Sequence, residues 1–257
     1  MCELFGLTGP DEITVNEYLR TFFSHSADHP NGWGIAVLTG AEANIEKEPV
    51  AAFRSSYLKE RLKTPLRAAN LMAHIRFATR GYMRYENCHP FMKRDISGRP
   101  WILMHNGTIF SCPLLNNYIY TQSGQTDSER ILLYLVDQIN TEAAKQGRVL
   151  KDRERFDVVD RVIREITARN KVNILLYDGS MLYVHENLKG SLFVRHLGHS
   201  LMFATVPLDR TKWEPVEICR LKAYRNGRCV LTGTAHENEY IENPDDLKLI
   251  FLDYAQL

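Results

Sequence analysis

A cysteine stands directly behind the initiator methionine in the opening stretch MCELFGLTG. If Met1 is removed, a step the small Cys2 side chain permits, one residue carries both a thiol and a free α-amine. An α-amine has a pKa of roughly 7.7–8.0 and a thiol one of about 8.5, so the amine is able to take the thiol proton near neutrality. Such a residue is a nucleophile with its own base. The competing reading is that Cys2 merely opens a buried strand, and position alone favours it. Two further stretches bear on the choice. In HNGTI, the Asn106 carboxamide and the Gly107 backbone N–H have the makings of an oxyanion hole for acyl transfer. The missing Cβ of glycine lets a substrate approach the backbone. Taken alone, an Asn-Gly pair is more often a tight turn. In HIRFAT and TDSE, Arg76 has the shape to grip a carboxylate and Asp127 the charge to hold an ammonium. Together they suit the two charged ends of an amino acid; singly, Arg76 is a surface ion-pair partner and Asp127 a helix starter.

The elements that must position these groups follow from periodicity. CELFGLTG and GWGIAVLTG read as glycine-ended strands, and ANIEKEPV pairs with the second as a hairpin. Between them, TVNEYLRTFFSHS places Val15, Tyr18, Leu19 and Phe22 at helical spacing behind a Thr14 cap. NLMAHIRFAT and PWILMHNGTI are strands joined by a long polar segment. Two amphipathic helices follow, the first carrying Ile131, Leu132, Leu135, Val136 and Ile139 on one face behind a Thr126/Glu129 capping box. The second does the same with Phe156, Val159, Val162, Ile163 and Ile166. From Lys171 onward short strands suit an antiparallel meander, and HENEYIENPDD reads as a solvated loop. Strands, two central helices and strands again are an α+β pattern of two antiparallel sheets packed face to face with helices outside.

Composition narrows the function classes. The 257 residues carry 32 basic against 31 acidic side chains, which leaves no electrostatic footprint for nucleic acid. No apolar run approaches the ~20 residues of a membrane span. Five cysteines without a CxxC pair and without an export signal read as reduced thiols of a cytoplasmic protein. Cys112, Cys219 and Cys229 are expected to be buried small hydrophobes. With no linker or repeat, residues 1–257 are expected to form one domain.

Cys2, NGWGIA (31–36), HIRFAT (74–79), ENCHPF (86–91), HNGTI (105–109) and TDSE (126–129) occur in one order and at compatible spacings. The ordered set resembles the class II glutamine amidotransferases, and among them the stand-alone bacterial proteins without a synthase domain. The resemblance implies the four-layer α/β/β/α sandwich of the amino-terminal-nucleophile hydrolases. It also implies a γ-glutamyl thioester formed on Cys2, an oxyanion hole of Asn106 and Gly107, substrate α-carboxylate and α-ammonium sites at Arg76 and Asp127, and a substrate-lining Thr79. No cofactor is implied. The expected partner is a small-molecule substrate, glutamine or another γ-glutamyl compound, and either a separate protein takes up the ammonia or the enzyme simply hydrolyses. The sequence departs from the family at Arg80, where synthase-linked members often have histidine, at Cys88, where threonine is common, and at Asn31, where aspartate is. Two rival readings stand beside this one: a non-catalytic γ-glutamyl-binding module on the same fold, and a zinc hydrolase using His74, His89 and His105.

Overall fold

The computed structural model describes residues 2–79 and 81–243. Met1, Arg80 and residues 244–257, which include the end of HENEYIENPDD, therefore lie outside the described residues. The first half of the chain lays down β1 (Glu3–Thr14), β2 (Trp33–Thr39), β3 (Glu42–Glu48), β4 (Arg67–Ile75), β5 (Phe91–Arg94) and β6 (Pro100–Thr108). The second half adds β7 (Lys171–Tyr177), β8 (Leu182–His185), β9 (Phe193–Leu197), β10 (Ser200–Ala204), β11 (Glu214–Pro215), β12 (Lys222–Arg225) and β13 (Arg228–Thr232). The helices are α1 (Asn16–Ser24), α2 (Ser56–Arg61), the single turn α3 (Pro113–Asn116), α4 (Asp127–Gln146) and α5 (Asp152–Ile166).

One sheet runs β11-β9-β10-β1-β4-β2-β3 and the other β13-β12-β8-β7-β6-β5, with antiparallel neighbours throughout. Three apolar layers glue the elements together. Phe5, Leu7, Ile35, Leu71 and Ala73 of the first sheet pack against Leu19, Phe22 and Phe23 of α1 and Leu58 of α2. Leu103, Ile174 and Leu176 of the second sheet pack against Ile131, Leu135, Phe156 and Val159 of α4 and α5. Between the sheets lie Leu4, Met72, Ile102, Met104, Leu175 and Phe203. The result is the four-layer α/β/β/α sandwich expected, and the five marker residues named for each long helix are all buried.

Several local expectations change. β1 does not stop at Gly9 but runs on to Thr14 through a register shift between Thr8 and Ile13. Thr14 does not cap α1: Val15 holds that position, and no side chain caps the helix. Asn16 serves the neighbourhood instead, donating to Leu62 O and Thr64 O and accepting from Leu66 N at 2.7 Å. At α4, the Thr126 hydroxyl accepts from Glu129 N at 3.2 Å as a cap should. The Glu129 carboxylate closes no box, because it accepts from Ser123 N and Gly124 N. The polar segment before β6 contains β5, which pairs with β6. The late strands are not one meander. β9 and β10 cross to the first sheet, where β10 covers the free edge of β1 in the register Phe5↔Ala204. Part of the acidic piece is packed as well, with Tyr240 buried and stacked on Phe110. Cys219 is buried and Cys112 half-buried, whereas Cys229 is exposed. No helix among the described residues is long and apolar enough to cross a membrane.

Burial leaves a mark on the titration of the fold. It drives the pKa of His74 and of His185 down to about 3 and also lowers His89 and His105. An unfolded histidine titrates near 6.5. Between these values the unfolded chain binds the extra protons, so stability rises with pH across that window and is lost as pH falls. Glu186, pushed up to about 7 by burial, acts in the opposite sense and offsets roughly one histidine. Urea unfolding at pH 7 and pH 5.5 is expected to show a loss of at least about 2 kcal/mol at the lower pH. Equal stability at the two values would contradict neutral buried histidines.

Candidate active site

Strand alternation decides which side chains enter the gap between the sheets. On β1, Phe5 faces the helices and Leu4 the gap, so Cys2 points into the gap as well. On β6, Ile102 and Met104 face the gap and carry Asn106 and Thr108 with them. His105 falls on the opposite face, where its Nδ1 lies 2.9 Å from Ser128 Oγ of α4. On β7, Leu175 and Tyr177 place Asn173 and Lys171 on the gap side. One end of an apolar layer thus turns polar on both walls.

Two contacts tie the walls together at this end. His74 Nε2 lies 3.3 Å from His105 O, and Thr79 Oγ1 lies 3.4 Å from Thr108 Oγ1. Between those ties, residues 75–78 of one wall oppose Asn106 and Gly107 of the other. Cys2 Sγ occupies this interval, 3.3 Å from both the N and the O of Phe77. The cysteine and the Asn-Gly pair, more than a hundred residues apart, are therefore brought to the same stretch of the gap.

The Asn-Gly pair is no turn. Asn106 and Gly107 sit inside β6, in register with Asn173 and Val172 of β7. A Cβ on Gly107 would lie 1.9 Å from Lys171 O and 2.4 Å from His105 Nε2, so the strand crossing demands glycine. Asn106 is buried, and its Oδ1 has no hydrogen-bond partner. A buried carboxamide oxygen left in that state costs on the order of 1–3 kcal/mol.

Arg76 follows β4 directly and is buried, so it is not a surface ion-pair partner. Its Nη2 donates to Gly81 O at 3.0 Å and its Nη1 to Tyr82 O at 3.1 Å and Asn31 O at 3.4 Å. Asp127 opens α4, accepting from Ile109 N at 2.7 Å and from Ser128 N at 2.9 Å. It does help start the helix, yet each of its oxygens keeps acceptor capacity. Asn87 joins the two neighbourhoods. Its Nδ2 donates to Tyr82 O at 2.9 Å, and its Oδ1 accepts from Gln125 N at 2.7 Å, two residues before Asp127. Asn31 is a second anchor, with Oδ1 accepting from Ala78 N at 2.9 Å. In the sequence Asn31 stands out only as a departure from the family pattern and Asn87 not at all, although both lie in the ordered motifs. The GWG stretch has a packing cause: a Cβ on Gly34 would meet His89 O at 2.0 Å.

Burial pushes the Cys2 thiol up, while the Phe77 N–H and the positive charges of Arg76 and Lys171 pull it down without cancelling the rise. Cys88 is a structural thiol, raised to about 11 by burial and directed at Glu48 O and Arg84 O. The three histidines do not converge. His74 and His89 stack with ring centroids 4.0 Å apart, and His105 turns away toward α4. Among the described residues, no group of three or more His, Cys, Asp or Glu is placed to hold a metal ion.

Comparison with known proteins bears on the family and the fold. The family described as class-II glutamine amidotransferases matches residues 1–200. An uncharacterized protein of Methanocaldococcus jannaschii is 28% identical over 261 residues, covering 91% of this chain and 72% of that protein. An Escherichia coli protein provisionally named glutamine amidotransferase YafJ is 30% identical over 194 residues, covering 73% of this chain and 74% of its own. Among solved structures, the glutamine phosphoribosylpyrophosphate amidotransferase of B. subtilis superposes with a TM-score of 0.65 at 17% identity. That match covers 89% of this chain but spans only 48% of the B. subtilis chain, about half its length. A provisionally named glutamine amidotransferase of Pseudomonas aeruginosa superposes with a TM-score of 0.62 at 18% identity, covering 90% of this chain and 100% of the other. At such identities the two structures speak for the fold alone.

The Gly107 contact yields a direct expectation. Gly107→Ala drives a methyl group into the Lys171 carbonyl, which is backbone and has nowhere to go. Overpacking of this kind typically costs about 1–3 kcal/mol. Chemical denaturation is expected to show a loss at the upper end of that range, and an unchanged midpoint would contradict the strand crossing described.

Proposed function

The chain belongs to the class II glutamine amidotransferases, and on that premise we propose that it hydrolyses the γ-amide of glutamine or of another γ-glutamyl amide or peptide through a thioester on Cys2. The observation that carries the reading is Cys2 Sγ held at Phe77, in the stretch of the gap bracketed by the His74–His105 and Thr79–Thr108 contacts, where Asn106 and Gly107 line the opposite wall. With Met1 removed, the α-amine of Cys2 takes the thiol proton, directly or through water, and Sγ attacks the γ-carbonyl carbon. The carbonyl oxygen becomes negative and is received by the Asn106 carboxamide and the Gly107 N–H. Collapse of the adduct breaks the C–N bond, and the proton held by the α-amine passes to the departing ammonia or amine. Water, deprotonated by the same amine, then opens the thioester to glutamate and restores the thiol.

Arg76 and Asp127 are the proposed grips on the α-carboxylate and α-ammonium of the substrate, with Thr79 lining the pocket. In the free enzyme the Arg76 guanidinium holds main-chain carbonyls around Gly81 and Tyr82. A carboxylate is a stronger acceptor than a carbonyl, so substrate would draw the guanidinium and that segment together. The unpartnered Asn106 Oδ1 is an acceptor, so it favours a ligand that donates to it, as the γ-amide N–H groups of the substrate would, while the oxyanion is received by the carboxamide nitrogen. The whole chain is read as one amidotransferase unit. Released ammonia either diffuses away or is taken up by a separate protein.

Steady-state hydrolysis of glutamine, glutathione and other γ-glutamyl amides tests the proposal. Cys2→Ala is expected to abolish turnover, and Asn106→Ala to lower kcat about 100- to 1,000-fold, the usual cost of one oxyanion donor. Arg76→Ala and Asp127→Asn are expected to lower kcat/KM while the protein stays folded. Tight binding of γ-glutamyl compounds without turnover in the wild type would put the binding-module reading in its place. Undiminished turnover by Cys2→Ala would remove the mechanism altogether.

A further inference from the structure

Lys171 is a cation on the gap face that the mechanism above does not use. It opens β7, pairs with Thr108 in the register that places Val172 opposite Gly107, and is only 2% exposed. A buried ammonium has lost its water, so nearby anions stabilise its charged form. Its charge is felt by groups on three different elements: the exposed Glu242 in the carboxy-terminal segment, Glu186 just after β8, and Cys2, which the strand alternation places on the same gap face at the start of β1. Glu186 is itself buried, held on one side by Ser191 N at 2.8 Å, and its Oε2 has no hydrogen-bond partner. The Cys2 thiol in turn feels the positive charges of Arg76, just after β4, and of Lys171, on the opposite sheet.

These two cations differ in what else they do. Arg76 is committed to the carbonyls of Asn31, Gly81 and Tyr82. The side chain of Lys171 comes from the same strand whose carbonyl packs on Gly107, so it is fixed to the oxyanion wall. A charge there acts on the sulfur and leaves the Arg76 site to the substrate.

We propose that Lys171 is a positioning residue for the nucleophile: its buried ammonium, balanced by Glu186 and Glu242, stabilises the thiolate of Cys2 across the gap between the sheets. The inference rests on the reading of Cys2 as the nucleophile. Lys171 transfers no proton in this role. The thiol proton goes to the α-amine of Cys2, and Lys171 keeps its own protons and supplies charge. Burial brings the lysine down to about 8, so its assistance is present at neutral pH and fades above that value. The direction follows from charge alone: a neighbouring cation favours the anionic form of a thiol, and its removal favours the neutral form.

The test is the pH dependence of Cys2 alkylation by iodoacetamide, read by mass spectrometry of the amino-terminal peptide so that exposed Cys229 does not contribute. Lys171→Gln keeps the length and hydrogen-bonding capacity of the side chain but not its charge. It is expected to slow alkylation at pH 7, where Lys171 of the wild type is charged, about tenfold, the effect of a one-unit rise in the thiol pKa. Lys171→Arg keeps the charge at every pH tested and is expected to leave the alkylation midpoint at or below that of the wild type. A Lys171→Gln profile that superimposes on the wild type overturns the proposal. Should that variant not fold, a midpoint raised by Lys171→Arg overturns it equally. Alkylation requires no substrate, so a failure to hydrolyse any γ-glutamyl amide would count against the proposed function and leave this inference standing.

Discussion

The apolar layer shared by the two sheets is what everything at the site depends on. Leu4, Met72, Met104, Leu175 and Phe203 interlock between the sheets and fix the walls against each other. Because side chains alternate along a strand, that single layer dictates which residues emerge at its end. Cys2 follows from Leu4, Asn106 from Met104, and Asn173 and Lys171 from Leu175. A one-residue slip in any of these strands would turn its chemical side chain toward the helices. The site is thus a by-product of core packing, carried to the place where the core runs out.

Polar groups in such a place are costly unless they are paired, and most of these are. Arg76 is absorbed by backbone carbonyls and Asp127 by backbone N–H groups. His105 is shared between Ser128 and the Lys171 carbonyl. The exceptions are informative. Asn106 Oδ1 and Glu186 Oε2 are buried without partners, one on the proposed oxyanion wall and one beside the buried lysine. Unpartnered buried atoms occur elsewhere in the fold as well, Thr8 Oγ1, Arg99 Nε and the ring nitrogens of His89 among them, so it is the place of Asn106 on the gap wall, and not its unpartnered oxygen alone, that ties it to the proposed reaction.

Much of this was legible in the amino-acid sequence, for definite reasons. Long helices announce themselves by periodicity, and α4 and α5 carry the buried faces their spacing implied. The chemical residues lay in compact motifs, so their types and order were visible. Other features depend on partners remote in sequence. Nothing local says that β9 and β10 leave the second sheet to cover β1. Asn16 looked like part of a helix start, yet it bonds to residues near 62–66. Asn-Gly reads as a turn by propensity, and only the crossing of β6 and β7 makes it part of a strand. Lys171 was passed over because a lysine opening a strand normally faces water. The signal was nevertheless present: stepping back by twos from Leu175 places Lys171 on the inward face.

The central claim is that Cys2 acts as an amino-terminal nucleophile toward a γ-glutamyl group. Acid quenching of the enzyme during turnover, followed by intact-mass measurement and mapping of the amino-terminal peptide, tests it most directly. The account predicts a chain that begins at Cys2 and carries one glutamyl group on that residue, released by mild thiol treatment as a thioester would be. An active enzyme that retains Met1, or an acyl group found on any other residue, would contradict it.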